Sequence, residues 1–94
     1  MQYRILLVDD DLINLQSTRY LLDQWGYTVE TADSGAAAVA KVKAAETPFA
    51  LILLDYQMPE KNGAETAMEL RPICPESILL MYSGDDSREA LKDA

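Results

Sequence analysis

Three short apolar runs constrain the fold of this 94-residue chain more than any other feature of its sequence. They lie at 5–8, 49–54 and 78–82, and the segments between them carry the apolar spacing of helices. Runs of this kind are typical of strands that are buried on both faces of a parallel sheet. Because strands alternate with helices, the pattern predicts an α/β fold with right-handed crossovers and helices on both faces.

The order of elements along the chain is predicted to be βαβαβαβα. The strands are placed at about 4–8, 28–32, 49–54 and 78–82. Asp11 and Ser34 are the predicted N-caps of the first two helices, a third helix spans about 64–70, and a fourth begins near Ser87. The predicted buried stripe of the first helix is Leu15, Thr18, Leu22 and Trp25. The half-polar second strand suits the edge of the sheet, and the very apolar third strand suits its centre.

Composition excludes several classes of function. The chain has 16 acidic and 8 basic residues and a net charge of −8, which disfavours direct binding to nucleic acid or to an anionic membrane. No segment reaches the ~20 apolar residues of a membrane-spanning helix, and the first residues lead into a strand rather than a signal peptide. Cys74 is the single cysteine, so a reducing, cytoplasmic location is expected.

Carboxylates follow two of the apolar runs directly. Asp9 and Asp10 come after the first run, and Asp55 comes after the third. The carboxyl ends of parallel strands meet at one edge of a sheet, so these side chains are expected to lie together. A solvated turn capped by Asp11 is the simpler interpretation of the first pair. Three clustered carboxylates instead favour a divalent cation, and the absence of histidine favours Mg²⁺ over Zn²⁺.

Three motifs resemble the receiver domains of two-component response regulators. They are Leu-Leu-Val-Asp-Asp at 6–10, Leu-Leu-Asp-Tyr-Gln-Met-Pro at 53–59 with Asn-Gly at 62–63, and Met-Tyr-Ser-Gly at 81–84. The resemblance covers the whole chain. It implies a flavodoxin-like, doubly wound parallel sheet with the strand order 2-1-3-4. It also implies a cytoplasmic signalling protein whose partner is a histidine kinase or a phosphotransfer protein.

The resemblance assigns a role to each residue of the motifs. Asp55 would accept a phosphoryl group from a phosphohistidine, with Mg²⁺ held by Asp9, Asp10, Asp55 and the backbone carbonyl of Gln57. The hydroxyl of Ser83 would act as the switch that contacts the new acyl phosphate. Gly84, Gln57 and Asp85 would set access to the phosphoryl group and its lifetime, and Met58, Pro59 and Gly63 would shape the adjoining loop.

The resemblance also implies elements that this sequence does not carry. Receiver domains have a fifth strand, a fifth helix and a lysine after that strand, so residues 1–94 are expected to be a C-terminally incomplete receiver domain. A fragment, a natural shortening completed by self-association, and an artificial shortening all fit this pattern. The fourth strand would then be an exposed apolar edge, and a homo-oligomer through that strand or through the uncovered sheet face is expected.

Other functions stay open beside the phosphoacceptor. The chain could be a phosphorylation-independent interaction module or an inactive shortened receiver. A Mg²⁺-dependent phosphatase with Asp55 as nucleophile is disfavoured because Gln57 occupies the place of the second acid. A nucleotide or flavin binder is disfavoured because no glycine-rich loop follows the first strand. In any of these functions, repulsion among Asp9, Asp10 and Asp55 should raise the pKa of at least one of them when no metal is bound.

Overall fold

A computed structural model describes residues 3–58 and 60–82 of the chain. The elements are β1 (Arg4–Val8), α1 (Leu12–Gln24), β2 (Thr28–Ala32), α2 (Gly35–Ala44), β3 (Leu51–Asp55), α3 (Gly63–Leu70) and β4 (Ile78–Tyr82). The alternation predicted from the sequence is confirmed over this part of the chain, whereas the helix predicted near Ser87 lies outside the described residues. Within the described residues, no helix has the length and apolar character that crossing a membrane requires.

The four strands form one parallel sheet in the order β2-β1-β3-β4. The predicted fold class and strand order are therefore confirmed, with β2 at an edge and β3 inside the sheet. The register places Val8 beside Leu54, and Asp55 beside Tyr82. As a result, the ends of β1, β3 and β4 lie side by side at one edge of the sheet.

Helices cover both faces of the sheet, and the side chains of β1 point alternately to one face and the other. Ile5 and Leu7 pack with Leu15 of α1 on one face. Leu6 and Val8 belong to the larger cluster on the other face, together with residues of α2, β3 and α3. The two clusters hold β1 from both sides, and β1 in turn positions Asp9 and Asp10, which follow it.

Two predicted boundaries are wrong in detail. Trp25 was expected on the buried stripe of α1, but the helix ends at Gln24 and the Trp25 side chain is 66% exposed. Phe49 was expected in the third strand, but β3 begins at Leu51. Phe49 is nevertheless buried, and the guanidinium of Arg4 lies 4.4 Å from the centre of its ring. Phe49 is thus buried in the segment that precedes β3 and not in the strand itself.

The fourth strand is the most exposed part of the described sheet. Ile78, Leu80 and Met81 are 60%, 50% and 47% exposed. Within the described residues, β4 pairs only with β3, which confirms the prediction of an exposed apolar edge strand. Among residues 3–58 and 60–82, no strand therefore pairs with the outer edge of β4.

Candidate functional site

The three predicted carboxylates meet at the sheet edge. Asp9 follows β1 directly, Asp10 is the next residue, and Asp55 is the last residue of β3. One carboxylate oxygen from each lies within 4.8 Å of the other two. Asp9 and Asp55 are buried, whereas Asp10 is exposed. The site is therefore a shallow acidic pocket with one side open to water.

Three donors hold the buried carboxylate of Asp9. The backbone amide of Asp11 donates to Oδ1 over 2.9 Å, while Asn14 Nδ2 and the Tyr82 hydroxyl donate to Oδ2 over 3.1 Å and 2.6 Å. Burial raises the pKa of Asp9, but these hydrogen bonds outweigh burial and bring the pKa below its ordinary value. Asp9 is therefore the permanently charged member of the pocket at neutral pH.

Asp55 behaves in the opposite way. Burial and, next, the charge of Asp9 raise the pKa of Asp55 to about 6, although the amide of Gln57 donates to its Oδ1 over 3.2 Å. The predicted rise in the pKa of one carboxylate is thus confirmed, with burial as its largest cause and repulsion by Asp9 as the next. Asp55 is mostly ionised at pH 7 and above, and mostly protonated at pH 5.

Asn14 and Tyr82 were not singled out as site residues from the sequence. Asn14 lies three residues after Asp11, whose side chain accepts from the amides of Ile13 and Asn14 and so caps α1. In this first turn of α1, the side-chain amide of Asn14 donates to Asp9 Oδ2. The spacing of three residues between the cap Asp11 and Asn14 is the sequence signal that places Asn14 in the first turn of α1.

Tyr82 reaches the pocket from β4. Its backbone pairs with Asp55 in the sheet, and its hydroxyl donates to Asp9. Burial and the bond to Asp9 raise the pKa of the Tyr82 hydroxyl, so the hydroxyl stays protonated and remains a donor. Its identity as the last residue of β4 was predicted, but its reach across the pocket was not.

The loop after β3 approaches the backbone of the site closely. The amide of Gly63 donates to the Tyr56 carbonyl over 2.9 Å. A Cβ at this position would lie 2.7 Å from the Asp55 carbonyl oxygen and 2.9 Å from the Tyr56 Cα. Only glycine therefore fits at 63 without moving the backbone that carries Asp55. Glu60, in the same loop, has a left-handed φ of 68°.

The other predicted site residues divide into two groups. Met58 is buried and packs in the larger core cluster, and the backbone amide of Gln57 contacts Asp55. Four lie outside the described residues: Pro59, Ser83, Gly84 and Asp85. Their roles stay predictions from the resemblance.

The donor set of the pocket suits a hard divalent cation. All three side chains offer oxygen, two of the carboxylates are fixed by backbone amides, and the exposed side leaves room for water ligands. Without a cation, burial and the charge of Asp9 both disfavour the ionised form of Asp55, as its raised pKa reflects. The arrangement therefore combines three clustered carboxylate oxygens with one side open to water.

Comparison with known proteins agrees with this arrangement. The family model of the response regulator receiver domain matches residues 5–94. The transcriptional regulatory protein ZraR of Klebsiella oxytoca is 41% identical over 95 residues, a match that covers 97% of this chain and 21% of that protein. The chain thus spans about one fifth of the length of this relative.

Two solved structures share the fold. The chemotaxis protein CheY4 of Vibrio cholerae has a TM-score of 0.84 and 30% identity, over 99% of this chain and 78% of that chain. The response regulator protein TrrA of Thermotoga maritima has a TM-score of 0.81 and 28% identity, over 98% of this chain and 79% of that chain. TrrA was solved in complex with Mg²⁺ and BeF.

Proposed function

Because this chain belongs to the response regulator receiver domain family, we propose that residues 1–94 act as one receiver domain in which Asp55 accepts a phosphoryl group. Receiver domains are signalling modules and not classical enzymes. The donor is the phosphohistidine of a histidine kinase or a phosphotransfer protein. The observation that carries the proposal is the meeting of Asp9, Asp10 and Asp55 at the carboxyl ends of β1 and β3.

The local geometry suits Asp55 as the nucleophile. An oxygen of its carboxylate forms a bond to phosphorus while the nitrogen–phosphorus bond of the phosphohistidine breaks, and the released imidazole takes up a proton. Attack requires the ionised carboxylate, which predominates above the pKa of about 6. The Gln57 amide fixes one carboxylate oxygen of Asp55, and hydrogen bonds to the neighbouring strand fix its backbone. Asp55 therefore loses little conformational freedom when the reaction takes place.

Magnesium is the cation that we propose for the pocket. Asp9, Asp10 and Asp55 would hold it through their carboxylates, and Gln57 through its backbone carbonyl. When bound, Mg²⁺ would neutralise the negative charge that gathers during phosphoryl transfer. The presence of Mg²⁺ in the structure of the relative TrrA supports this choice.

The remaining assignments extend the same proposal. The Ser83 hydroxyl would contact the acyl phosphate, while Gln57, Gly84 and Asp85 would set its accessibility and lifetime. A cytoplasmic location and the lack of direct contact with nucleic acid or membrane also stay predictions. They rest on the net charge of −8 and on Cys74, which is buried with its thiol 3.1 Å from the Leu70 carbonyl oxygen.

Phosphoryl transfer to Asp55 is tested by intact-protein mass spectrometry after incubation with acetyl phosphate and Mg²⁺. We expect one added phosphoryl group on the natural protein and none on Asp55→Asn. Asp33→Asn is the matched control, because Asp33 is exposed and follows β2 at the same edge of the sheet. Labelling of Asp55→Asn, or no labelling of a folded natural protein, would contradict the proposal and favour a phosphorylation-independent interaction module.

A second copy of the chain is the partner that we propose for β4. Its five residues are apolar or aromatic and carry no charge, so pairing two β4 edges brings no like charges together despite the net charge of −8. An apolar groove lined by Leu22, Trp25, Leu51, Ile78 and Leu80 adjoins the strand. Edge-to-edge pairing of this kind gives a closed, two-fold dimer.

Sedimentation velocity over a wide concentration range tests the dimer. We expect a concentration-dependent rise in mass for the natural protein and a monomer for Leu80→Lys, which puts a charge on the exposed strand. Met68→Lys is the control, since Met68 is 78% exposed on α3 and lies on another element. A monomer mass for the natural protein at every concentration would sink the proposal.

A further inference from the structure

The hydrogen bond between Tyr82 and Asp9 joins strands that are not neighbours. Asp9 follows β1, Tyr82 ends β4, and β3 lies between these strands. Adjacent strands are about 4.8 Å apart, so the bond bridges close to 10 Å of the sheet. The hydroxyl nevertheless lies 2.6 Å from Asp9 Oδ2. The tyrosine side chain therefore extends across the end of β3, where Asp55 is located.

The Tyr82 hydroxyl donates to an oxygen of Asp9 that also accepts a hydrogen bond from another residue. Asp9 Oδ2 accepts from Asn14 as well as from Tyr82, and Oδ1 accepts from the Asp11 amide. A carboxylate has about four lone-pair positions, and the three donors to Asp9 leave little room for a cation to bind the same carboxylate. A cation beside Oδ2 would also repel the hydroxyl hydrogen that points toward the same oxygen.

The three donors differ in how readily they can leave. The Asp11 amide and Asn14 belong to the segment that continues from Asp9 itself, two and five residues along the chain. Tyr82 is 73 residues away and is 37% exposed, so its side chain can turn toward water without unfolding α1 or β1. Loss of this one bond leaves Asp9 oriented by the other two.

We propose that the Tyr82 hydroxyl competes with Mg²⁺ for Asp9, so that binding of the cation releases Tyr82 from the end of β3 and uncovers Asp55. The proposal rests on the metal site of the proposed function. Asp55 is only 6% exposed while the tyrosine is in place, yet a phosphoryl donor has to reach its carboxylate. Tyr82 would thus make access of the donor depend on prior binding of the cation.

Calorimetric titration with MgCl₂ tests the competition directly. Tyr82→Phe keeps the ring and removes only the hydroxyl, so Mg²⁺ binding no longer has to break a hydrogen bond to a charged group. We expect the Kd for Mg²⁺ to fall by about tenfold. Tyr56→Phe is the matched control, because Tyr56 is an exposed tyrosine next to Asp55, and its Kd should equal that of the natural protein. An unchanged or weaker affinity of Tyr82→Phe would overturn the proposal.

A second measurement uses the natural protein and so does not depend on the folding of a variant. In protein with ¹³C-labelled tyrosine, the Tyr82 hydroxyl proton should exchange slowly with water without metal and rapidly at saturating Mg²⁺. Slow exchange that persists at saturation would overturn the release of Tyr82 while leaving the metal site intact. If the natural protein bound no Mg²⁺, the metal site of the proposed function and the competition would both fail.

Discussion

Replacing Asp55 with asparagine should stabilise the metal-free protein at pH 8 by up to about 3 kcal/mol. The physical reason is the cost of holding a buried charge beside Asp9. The pKa of Asp55 is about 6 in the folded protein against an ordinary value of 3.8, and the native state is disfavoured by this difference once the side chain is ionised. Asparagine has similar size and no charge. A domain of this length should gain roughly 10–20 °C in melting temperature.

The sign of the pH dependence follows from the same pKa. Between the ordinary value of 3.8 and about 6, the folded protein binds more protons at Asp55 than the unfolded chain does. The free energy of unfolding therefore falls as pH rises through this window. Asp9 acts in the opposite sense, since its lowered pKa stabilises the fold above the ordinary value and this stabilisation is lost in acid. The advantage of Asp55→Asn should thus shrink as pH drops from 7 to 4.

Urea unfolding in the presence of EDTA, at a series of pH values between 4 and 8, measures this advantage. Asp33→Asn controls for the change in net charge, because it removes one exposed carboxylate from the same edge of the sheet. We expect it to alter the free energy of unfolding by less than about 0.5 kcal/mol at every pH. A pH-independent gain in Asp55→Asn, or an equal gain in Asp33→Asn, would contradict burial beside Asp9 as the cause.

The shared sheet edge of the three carboxylates could be predicted from the sequence because it depends on strand ends alone. Once 5–8 and 49–54 are assigned as parallel strands, sheet geometry brings the residues that follow them to one edge. Asp9, Asp10 and Asp55 therefore lie at that edge whatever the details of the helices, and they meet because β1 and β3 are neighbouring strands. The strand order was available only through the resemblance to receiver domains, since alternation of elements does not determine which strands are neighbours.

The contacts of long side chains could not be predicted in the same way. Tyr82 was assigned correctly to the end of β4, but its hydroxyl reaches past the adjacent strand to Asp9. Strand periodicity gives the face of a side chain and not its rotamer. The prediction for Trp25 was wrong for a related reason, because helical spacing continued the stripe to Trp25, one residue beyond the end of α1. Periodicity predicts a face only while the helix lasts.

Magnesium should stabilise the natural protein strongly at pH 8 and weakly at pH 5. A ligand that binds only the folded state adds about 2.7 kcal/mol at a concentration of 100 times its Kd. Protons compete with the cation for Asp55, whose pKa of about 6 leaves it mostly protonated at pH 5. The Mg²⁺-dependent rise in melting temperature should therefore become smaller as the pH falls from 8 to 5. Screening of surface charge by Mg²⁺ would instead change little, because it does not depend on the protonation of one buried residue.

Thermal unfolding with and without Mg²⁺, at constant ionic strength, measures this effect, and two variants locate its source. Asp10→Asn removes an exposed carboxylate of the proposed metal site, so the fold should persist while the Mg²⁺-dependent rise is largely lost. Asp33→Asn should keep the full rise. Equal responses of the two variants would mean that Mg²⁺ acts on the overall negative charge of the chain. A loss confined to Asp10→Asn would instead place the cation between the ends of β1 and β3, beside the carboxylate proposed to accept the phosphoryl group.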